Sequence, residues 1–355
     1  MKKYRVIQWS TGWVGRLALQ SILRREDVEL VGLWVHSESK EGKDAGTLAG
    51  GAPVGVKATR DVDALLALDA DCVCYTAHGE TRLKQCIKDV CRILESGKNV
   101  VTTSLVGPIY GPGMDPQVRA PLEAACRAGG TSLFASGVEP GFFGDFLPLV
   151  LATMSEQVRS VRTQEIFGYE KTPTAATVFD FFGFGRPQSY RPIIMIPGVQ
   201  RAAWGPAVQM VAGGLGVTLD EIREIFETEV TPRRLEVAAG VIEAGTVGAV
   251  RFETIGVVKG EAVIVIEHVN RMSRDIAPHW PSADREGTYR LVIQGNPNMT
   301  CEFHFGESDA RSSDDGMTAT AMRVVNAIPY VCAAPPGLVS ALDLPLTLPK
   351  QAVYR

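Results

Sequence analysis

The sequence has no long apolar run, no long run of one charge and no paired-cysteine motif, and each absence removes a class of function. Its longest apolar stretch near a domain junction, "FLPLVLATM" at 146–154, is well short of the roughly 20 residues that a membrane-spanning helix needs. No run of Lys or Arg exceeds two residues, and the formal net charge is −4. That balance argues against a nucleic-acid or membrane-surface partner. The chain enters a strand pattern within a few residues of its start, so no signal peptide is expected. Seven cysteines make an odd count, scattered through core-like segments without CxxC or His at zinc spacing. They read as reduced thiols acting as small hydrophobes, which points to the cytoplasm and to no bound metal. Neither an internal repeat nor a low-complexity linker interrupts the 355 residues, a length that favours two cores over one.

What is present alternates. "YRVIQW" (4–9) is a short apolar strand, and Val14, Leu17, Ala18 and Ile22 mark one face of a helix. Strands follow at 28–35, weakly at 54–56, and at 71–76, 99–104 and 131–136, with helices between them. The helix over 81–96 ends at Gly97, and another opens on Asp115 and Pro116. This rhythm predicts a Rossmann-type, doubly wound parallel sheet over residues 1–137. From about 158 the strands lengthen and pair through Lys259-Gly260-Glu261 and Asn296-Pro297-Asn298, both hairpin signals. Residues 138–312 therefore read as an α+β domain on a mixed, mostly antiparallel sheet. Helices are expected near 174–184, 199–212 and 219–227. A last helix over 317–334 belongs to a segment, 313–355, that packs back on the first domain.

Between the first strand and the first helix stands Ser10-Thr11-Gly12-Trp13-Val14-Gly15. In the G-x-G-x-x-G fingerprint the first glycine makes the tight turn, the second admits a pyrophosphate and the third lets helix and strand pack closely. Serine replaces the first here. A dinucleotide phosphate would sit on the helix N-terminus with Trp13 exposed beside it. At the end of the second strand, where NAD enzymes place an acid for the ribose, the chain reads "WVHSESK". His36 and Ser37 occupy that place, with Lys40 and Arg16 near enough to neutralise a 2′-phosphate, so NADP is favoured over NAD. Glu38 leaves NAD open.

"GKNVVTTS" at the fifth strand, "GVEPGF" at 137–142 and "VVNAIPYVCAAPPGLVSALDLP" at 324–345 resemble the dihydrodipicolinate-reductase-like superfamily, in the branch of 2,4-diaminopentanoate dehydrogenase and the native amine dehydrogenases. The resemblance implies a nicotinamide-dependent oxidoreductase acting on a C=N or C=O bond, an active site in the cleft between lobes, and a homodimer built through the second sheet. It also implies that Ser10 to Gly15 bind the pyrophosphate, that Thr76, Ala77 and His78 border the cofactor, that Thr102, Thr103 and Ser104 face the nicotinamide ribose, and that the "GVEPGF" turn touches the nicotinamide. Three departures stand out. The second lobe opens "TQEIFGYEKTPTAA", with Lys171 but without the His-His pair of dipicolinate reduction. "TTSLVGPIYGP" carries no acid before Asp115, where the amine dehydrogenases hold ammonia with Glu. Glu139 replaces their junction Asn.

Hydride transfer to C=N or C=O needs a proton source. Glu139, at the lobe junction, is the leading candidate, since burial raises a carboxyl's pKa and suits it to acid chemistry. His78, at the carboxyl end of the fourth strand, Tyr169 and Lys171 are the others, with Glu165 near them. His268 and His304 lie in strands and read as satisfied sheet histidines. His279, in a Pro-rich loop, is a candidate pocket residue. "FDFFGFG" (179–185) reads as helix core or, failing that, as the wall of an apolar substrate pocket. The alternative to an enzyme is a non-catalytic NADP(H)-binding sensor.

Overall fold

Strong alternation of short apolar strands with amphipathic helices organises the first part of the chain, and longer paired strands organise the second. The computed structural model describes residues 3–79, 81–350 and 352–353. In chain order these comprise β1 (Tyr4–Trp9), α1 (Trp13–Arg24), β2 (Val28–Trp34), α2 (Ala45–Ala49), β3 (Ala58–Thr59), α3 (Val62–Leu66), β4 (Cys72–Tyr75), α4 (Leu83–Glu95), β5 (Asn99–Thr102), α5 (Pro116–Gly129) and β6 (Ser132–Ala135). They continue with α6 (Phe146–Ala152), β7 (Gln157–Gly168), α7 (Val199–Gly214), β8 (Glu221–Val230), β9 (Leu235–Val237), β10 (Gly240–Ile242), β11 (Val247–Val258), β12 (Glu261–Arg271), β13 (Thr288–Asn296) and β14 (Met299–His304). Last come α8 (Ser312–Val325), α9 (Ile328–Val331) and β15 (Gly337–Val339).

Two compact units result, one from the residues up to Val138 with those from Met317 on, the other from Glu139–Gly316. In the first unit a parallel sheet of seven strands, among the described residues, runs in the order β15-β6-β5-β4-β1-β2-β3. β1, β4, β5 and β6 are buried on both faces, which is why they read as continuous apolar runs. Val324, Val325, Ile328 and Val331 pack in one core with Val6, Leu19 and Leu33, so the C-terminal helices complete this unit. Arg25 ties them down, bonding Asp27 at 2.6 Å and the Asn326 Oδ1 at 2.9 Å. Asp115 caps α5 through the Gln117 N–H at 2.7 Å, with Pro116 in the first turn.

The second unit carries a mixed sheet, β14-β13-β7-β12-β11-β8, antiparallel except for the β7–β12 pair. α7 covers one face with Trp204, Ala207, Val208 and Val211 packed against Phe252, Ile264, Ile266 and Leu291.

Four local expectations are corrected. Residues 219–227 are not helical: β8 pairs along its length with β11, because a glutamate-rich segment with helical propensity gains more as a charged edge strand. The third strand lies at Ala58–Thr59 rather than 54–56, where it pairs with Leu33 and Trp34. The helix expected over 317–334 is two, α8 and α9, since Pro329 sits in the first turn of α9 and cannot continue α8. The segment at 174–184 forms only a six-residue π-helical turn, Ala176–Phe181.

Candidate active site

The turn after β1 has the geometry that a diphosphate requires. Ser10 takes a left-handed φ of 84° and donates its N–H to the Trp34 carbonyl at 2.9 Å, so a serine carries the turn usually given to glycine. Gly15 permits close packing, since a Cβ there would stand 2.5 Å from the Ser10 carbonyl oxygen and 2.7 Å from Thr76 Oγ1. Gly12 is the reverse. A Cβ there meets nothing nearer than Ser10 Oγ at 4.0 Å, and Gly12 begins α1 without a side-chain cap. The first N–H groups of α1 are thus left for a ligand anion, and the residues present fit a dinucleotide.

The other expected cofactor residues fall into two groups. Thr76 and Thr102 are committed to the scaffold: Thr76 Oγ1 donates to the Trp9 carbonyl and accepts from Gln8, and Thr102 Oγ1 accepts the Ser104 N–H at 2.9 Å. Ala77 is buried and Ser104 Oγ donates to the Tyr75 carbonyl, while Thr103 is half-buried. Trp13 and Val14 are half-buried rather than exposed. His36 and Ser37 lie exposed beyond β2, and Lys40 Nζ reaches back to the Thr11 carbonyl at 3.2 Å and its Oγ1 at 3.0 Å. His78 belongs to this unit too, with its Nε2 buried and unpartnered among the described residues.

In the second unit, strand register assembles a polar cluster. Phe226, Phe252, His268, Glu165, Tyr289 and Phe303 are successive partners across β8, β11, β12, β7, β13 and β14, one row on one face. The Glu165 carboxylate is fully used: Oε1 faces His268 Nδ1 and accepts from Asn270 Nδ2, both at 3.2 Å, and Oε2 accepts from the Tyr289 hydroxyl at 3.2 Å. Burial opposes its charge, yet the His268 imidazole and these hydrogen bonds hold the carboxyl below its usual range. The His268 ring stacks on Phe252 with centroids 4.4 Å apart and meets Trp204 edge-on.

Glu139 faces this row from the start of the unit. Its Oε1 lies 3.9 Å from His268 Nε2, and both side chains are 3% exposed. Gly144 makes the room, because a Cβ there would fall 2.5 Å from the Glu139 carboxylate. Burial, then the charges of Asp145 and Glu165, push the Glu139 carboxyl well above its usual range, against a backbone hydrogen bond from Gly144.

Of the remaining candidates, Tyr169 packs edge-on against Phe182 and lies within electrostatic reach of Tyr289. Lys171 is exposed and donates to the carbonyls of Asp309 and Ala310, with no bond to the cluster. His279 is 63% exposed beside Glu229, so it lines no buried pocket, whereas His304 is bonded to Thr288 Oγ1 at 2.9 Å. Phe181, Phe182 and Phe184 are core. His268 differs from a satisfied sheet histidine, since its Nε2 is buried without a partner among the described residues. The sequence held a signal for it: Ile264 and Ile266 begin a core-facing alternation that continues as His268 and Asn270.

A dinucleotide turn on a doubly wound sheet in one unit, and a buried ionisable cluster in the other, are the parts of an NAD(P)-dependent dehydrogenase. Relatedness specifies the class further. A family model described as the 2,4-diaminopentanoate dehydrogenase C-terminal domain matches residues 142–353, and the chain belongs to that family. The sequence is 39% identical over 349 residues to an amine dehydrogenase of Streptomyces virginiae, covering 96% of each chain. It is 22% identical over 368 residues to a 2,4-diaminopentanoate dehydrogenase of Acetoanaerobium sticklandii, covering 98% of this chain and 94% of that one. The fold matches that of an amine dehydrogenase from Mycobacterium smegmatis with a TM-score of 0.78 at 21% identity, over 98% and 97% of the two chains.

Proposed function

We propose that this dehydrogenase interconverts an amine and the corresponding imine or ketone on a largely apolar small molecule, with Glu139 as the group that takes and returns the proton of the substrate nitrogen. The observation that carries this reading is the buried Glu139 carboxyl, with its Oε1 unpartnered among the described residues. A carboxyl lifted above its usual range can exchange a proton with a nitrogen near neutral pH, and its ionised form can hold a cationic nitrogen in an apolar wall. The relatives named as amine dehydrogenases support the choice of substrate class. Glu139 takes the office that an acid after the fifth strand has elsewhere in the branch, a place where this chain has none.

The nicotinamide cofactor supplies the hydride acceptor. Ser10 to Gly15 hold its diphosphate, and the lack of an acid at His36 and Ser37 favours NADP. Seven cysteines without a disulfide support a reducing cytoplasm.

Glu139→Gln is the test. It keeps size and hydrogen-bonding shape but removes the ionisable proton, so kcat for amine oxidation should fall on the order of 10²-fold or more, with nucleotide affinity nearly unchanged. In the wild type one limb of the pH–rate profile should stand above the ordinary carboxylate range, and the variant should lack it. Normal turnover by Glu139→Gln at every pH would overturn the assignment.

A further inference from the structure

The cluster beside Glu139 contains an arrangement that a proton-handling carboxyl does not need. Glu165, held ionised, can only accept hydrogen bonds, so the His268 nitrogen facing it carries a proton, and in the neutral imidazole Nε2 presents a lone pair. By the same reasoning Asn270 turns its NH₂ to Glu165, which leaves Oδ1 as an acceptor not used by that bond. Glu139 Oε1, His268 Nε2 and Asn270 Oδ1 are all buried and all without a partner among the described residues. At 3.9 Å, Glu139 Oε1 and His268 Nε2 are too far apart to bond each other, and a donor at ordinary hydrogen-bond distance from both fits between them. His268 Nε2 and Asn270 Oδ1 therefore face no donor among the described residues, and Glu139 Oε1 joins them as an acceptor once its carboxyl has given up its proton. A buried polar atom left without a partner destabilises the fold, so the persistence of these points to a ligand that carries N–H groups.

Resting on the amine reading above, we infer that His268 is the residue that selects the substrate nitrogen. Fixed by Glu165, its Nε2 accepts one N–H of a primary amine while Glu139 accepts another. A primary ammonium has three N–H donors, enough to bond Glu139 and His268 and keep one for a further acceptor. An N-methylated amine has one fewer, and an alcohol has a single O–H that leaves buried acceptors open. Sites built around hydrogen bonds to a substrate reject an analogue lacking them by about 10⁴-fold, far more than a missing methylene is worth. The other groups against His268 are aromatic, Phe252 from β11 and Trp204 from α7. Tyr289, from β13, is spent on Glu165, and Asp145 accepts the N–H groups of Gly141 and Phe146. None of them competes for Nε2.

Two measurements test this. The first compares kcat/KM for cyclohexylamine, N-methylcyclohexylamine and cyclohexanol in the wild type and in His268→Phe, which keeps an aromatic ring but removes the acceptor. The wild type should prefer the primary amine by 10² or more, and the variant should lose most of that preference by losing primary-amine activity. Equal use of the primary and N-methyl amines by the wild type, or an unchanged ratio in the variant, overturns the inference. The second needs neither cofactor nor turnover. Nitrogen NMR of the wild-type protein should find His268 protonated on Nδ1, and methylammonium chloride should shift its Nε2 resonance where tetramethylammonium chloride does not. Glu165→Gln, whose amide can donate to Nδ1, should move the proton to Nε2 and abolish the methylammonium shift. An Nε2–H tautomer in the wild type, or no discrimination between the two cations, also overturns it. If none of the three compounds is oxidised, the amine reading fails and the NMR result decides the role of His268 alone.

Discussion

The two faces of the mixed sheet bury carboxylates in opposite ways. On one face Glu267, 1% exposed, accepts from Arg162 at 2.6 Å, Arg251 at 2.7 Å and Gln164 at 2.8 Å. Arg162 and Arg251 also hold Glu253, and Arg251 reaches Glu227 at 2.8 Å. On the other face, one residue along β12, His268 Nε2 lies across from Glu139 Oε1, both without a partner among the described residues. A saturated ionic network is scaffolding, since each charge already has what burial demands. On the function proposed above, polar atoms left open are stability forgone for something that binds. Neighbouring residues in one strand thus serve different ends, and hydrogen-bond satisfaction distinguishes them where burial does not.

Breaking the saturated face should have the largest effect on stability. Glu267→Ala removes the carboxylate that Arg162, Arg251 and Gln164 share and, because both arginines keep Glu253, should cost about 1–3 kcal/mol in denaturant unfolding, while the folded fraction keeps its kcat and pH profile. A lost pH limb in that variant would erase the contrast between the faces. The open face should respond in the opposite sense. Because the folded protein raises the Glu139 pKa, it binds that proton more tightly than the unfolded chain does. Stability therefore falls as pH rises from the usual carboxylate range towards the raised value. Glu139→Gln removes that fall, so its melting temperature relative to wild type should climb with pH even as activity is lost.

The same contrast recurs at the phosphate turn, between a closed glycine and an open one. Gly15→Ala forces a Cβ against the Ser10 backbone and should destabilise the first unit. Gly12→Val meets no protein atom of that kind, so the fold should survive while the branched side chain fills the path of the diphosphate. Nucleotide affinity should drop by at least about 10²-fold, or ~2.7 kcal/mol. A folded Gly12→Val protein with unchanged NADPH affinity would remove the dinucleotide reading.

How much of this was legible depended on whether the signal was local. The strand, turn and helix around Gly12 follow from periodicity within some 20 residues, and so does the alternation that builds the parallel sheet. Glu139 was visible because it stands in a Gly-Pro turn at a change of rhythm. The cluster it faces was not, because the pairing of His268 with Glu165, and of Glu165 with Tyr289, spans more than 100 residues and is fixed by register. β8 was misread for a related reason: Glu221–Val230 has the composition of a surface helix, and only its partnership with β11 makes it a strand.

The smallest expected effect concerns the choice between the two nicotinamide cofactors. His36, Ser37 and Glu38 are exposed beyond β2, and Lys40 is held against Thr11, which keeps positive charge at the phosphate end of the turn. A 2′-phosphate gains from that charge, whereas a ribose hydroxyl gains from a carboxylate acceptor that His36 and Ser37 do not supply. The wild type should therefore bind NADPH more tightly than NADH. Ser37→Asp adds a carboxylate that repels the phosphate and accepts from the hydroxyl. At an exposed site the Coulomb energy between unit charges 4 Å apart is only about 1 kcal/mol, so the preference should shift by roughly fivefold rather than invert completely. Fluorescence titration of both nucleotides against both proteins measures the ratio. If the wild type already favours NADH, Glu38 or a backbone group holds the ribose, and the positive charge at Lys40 serves the turn alone.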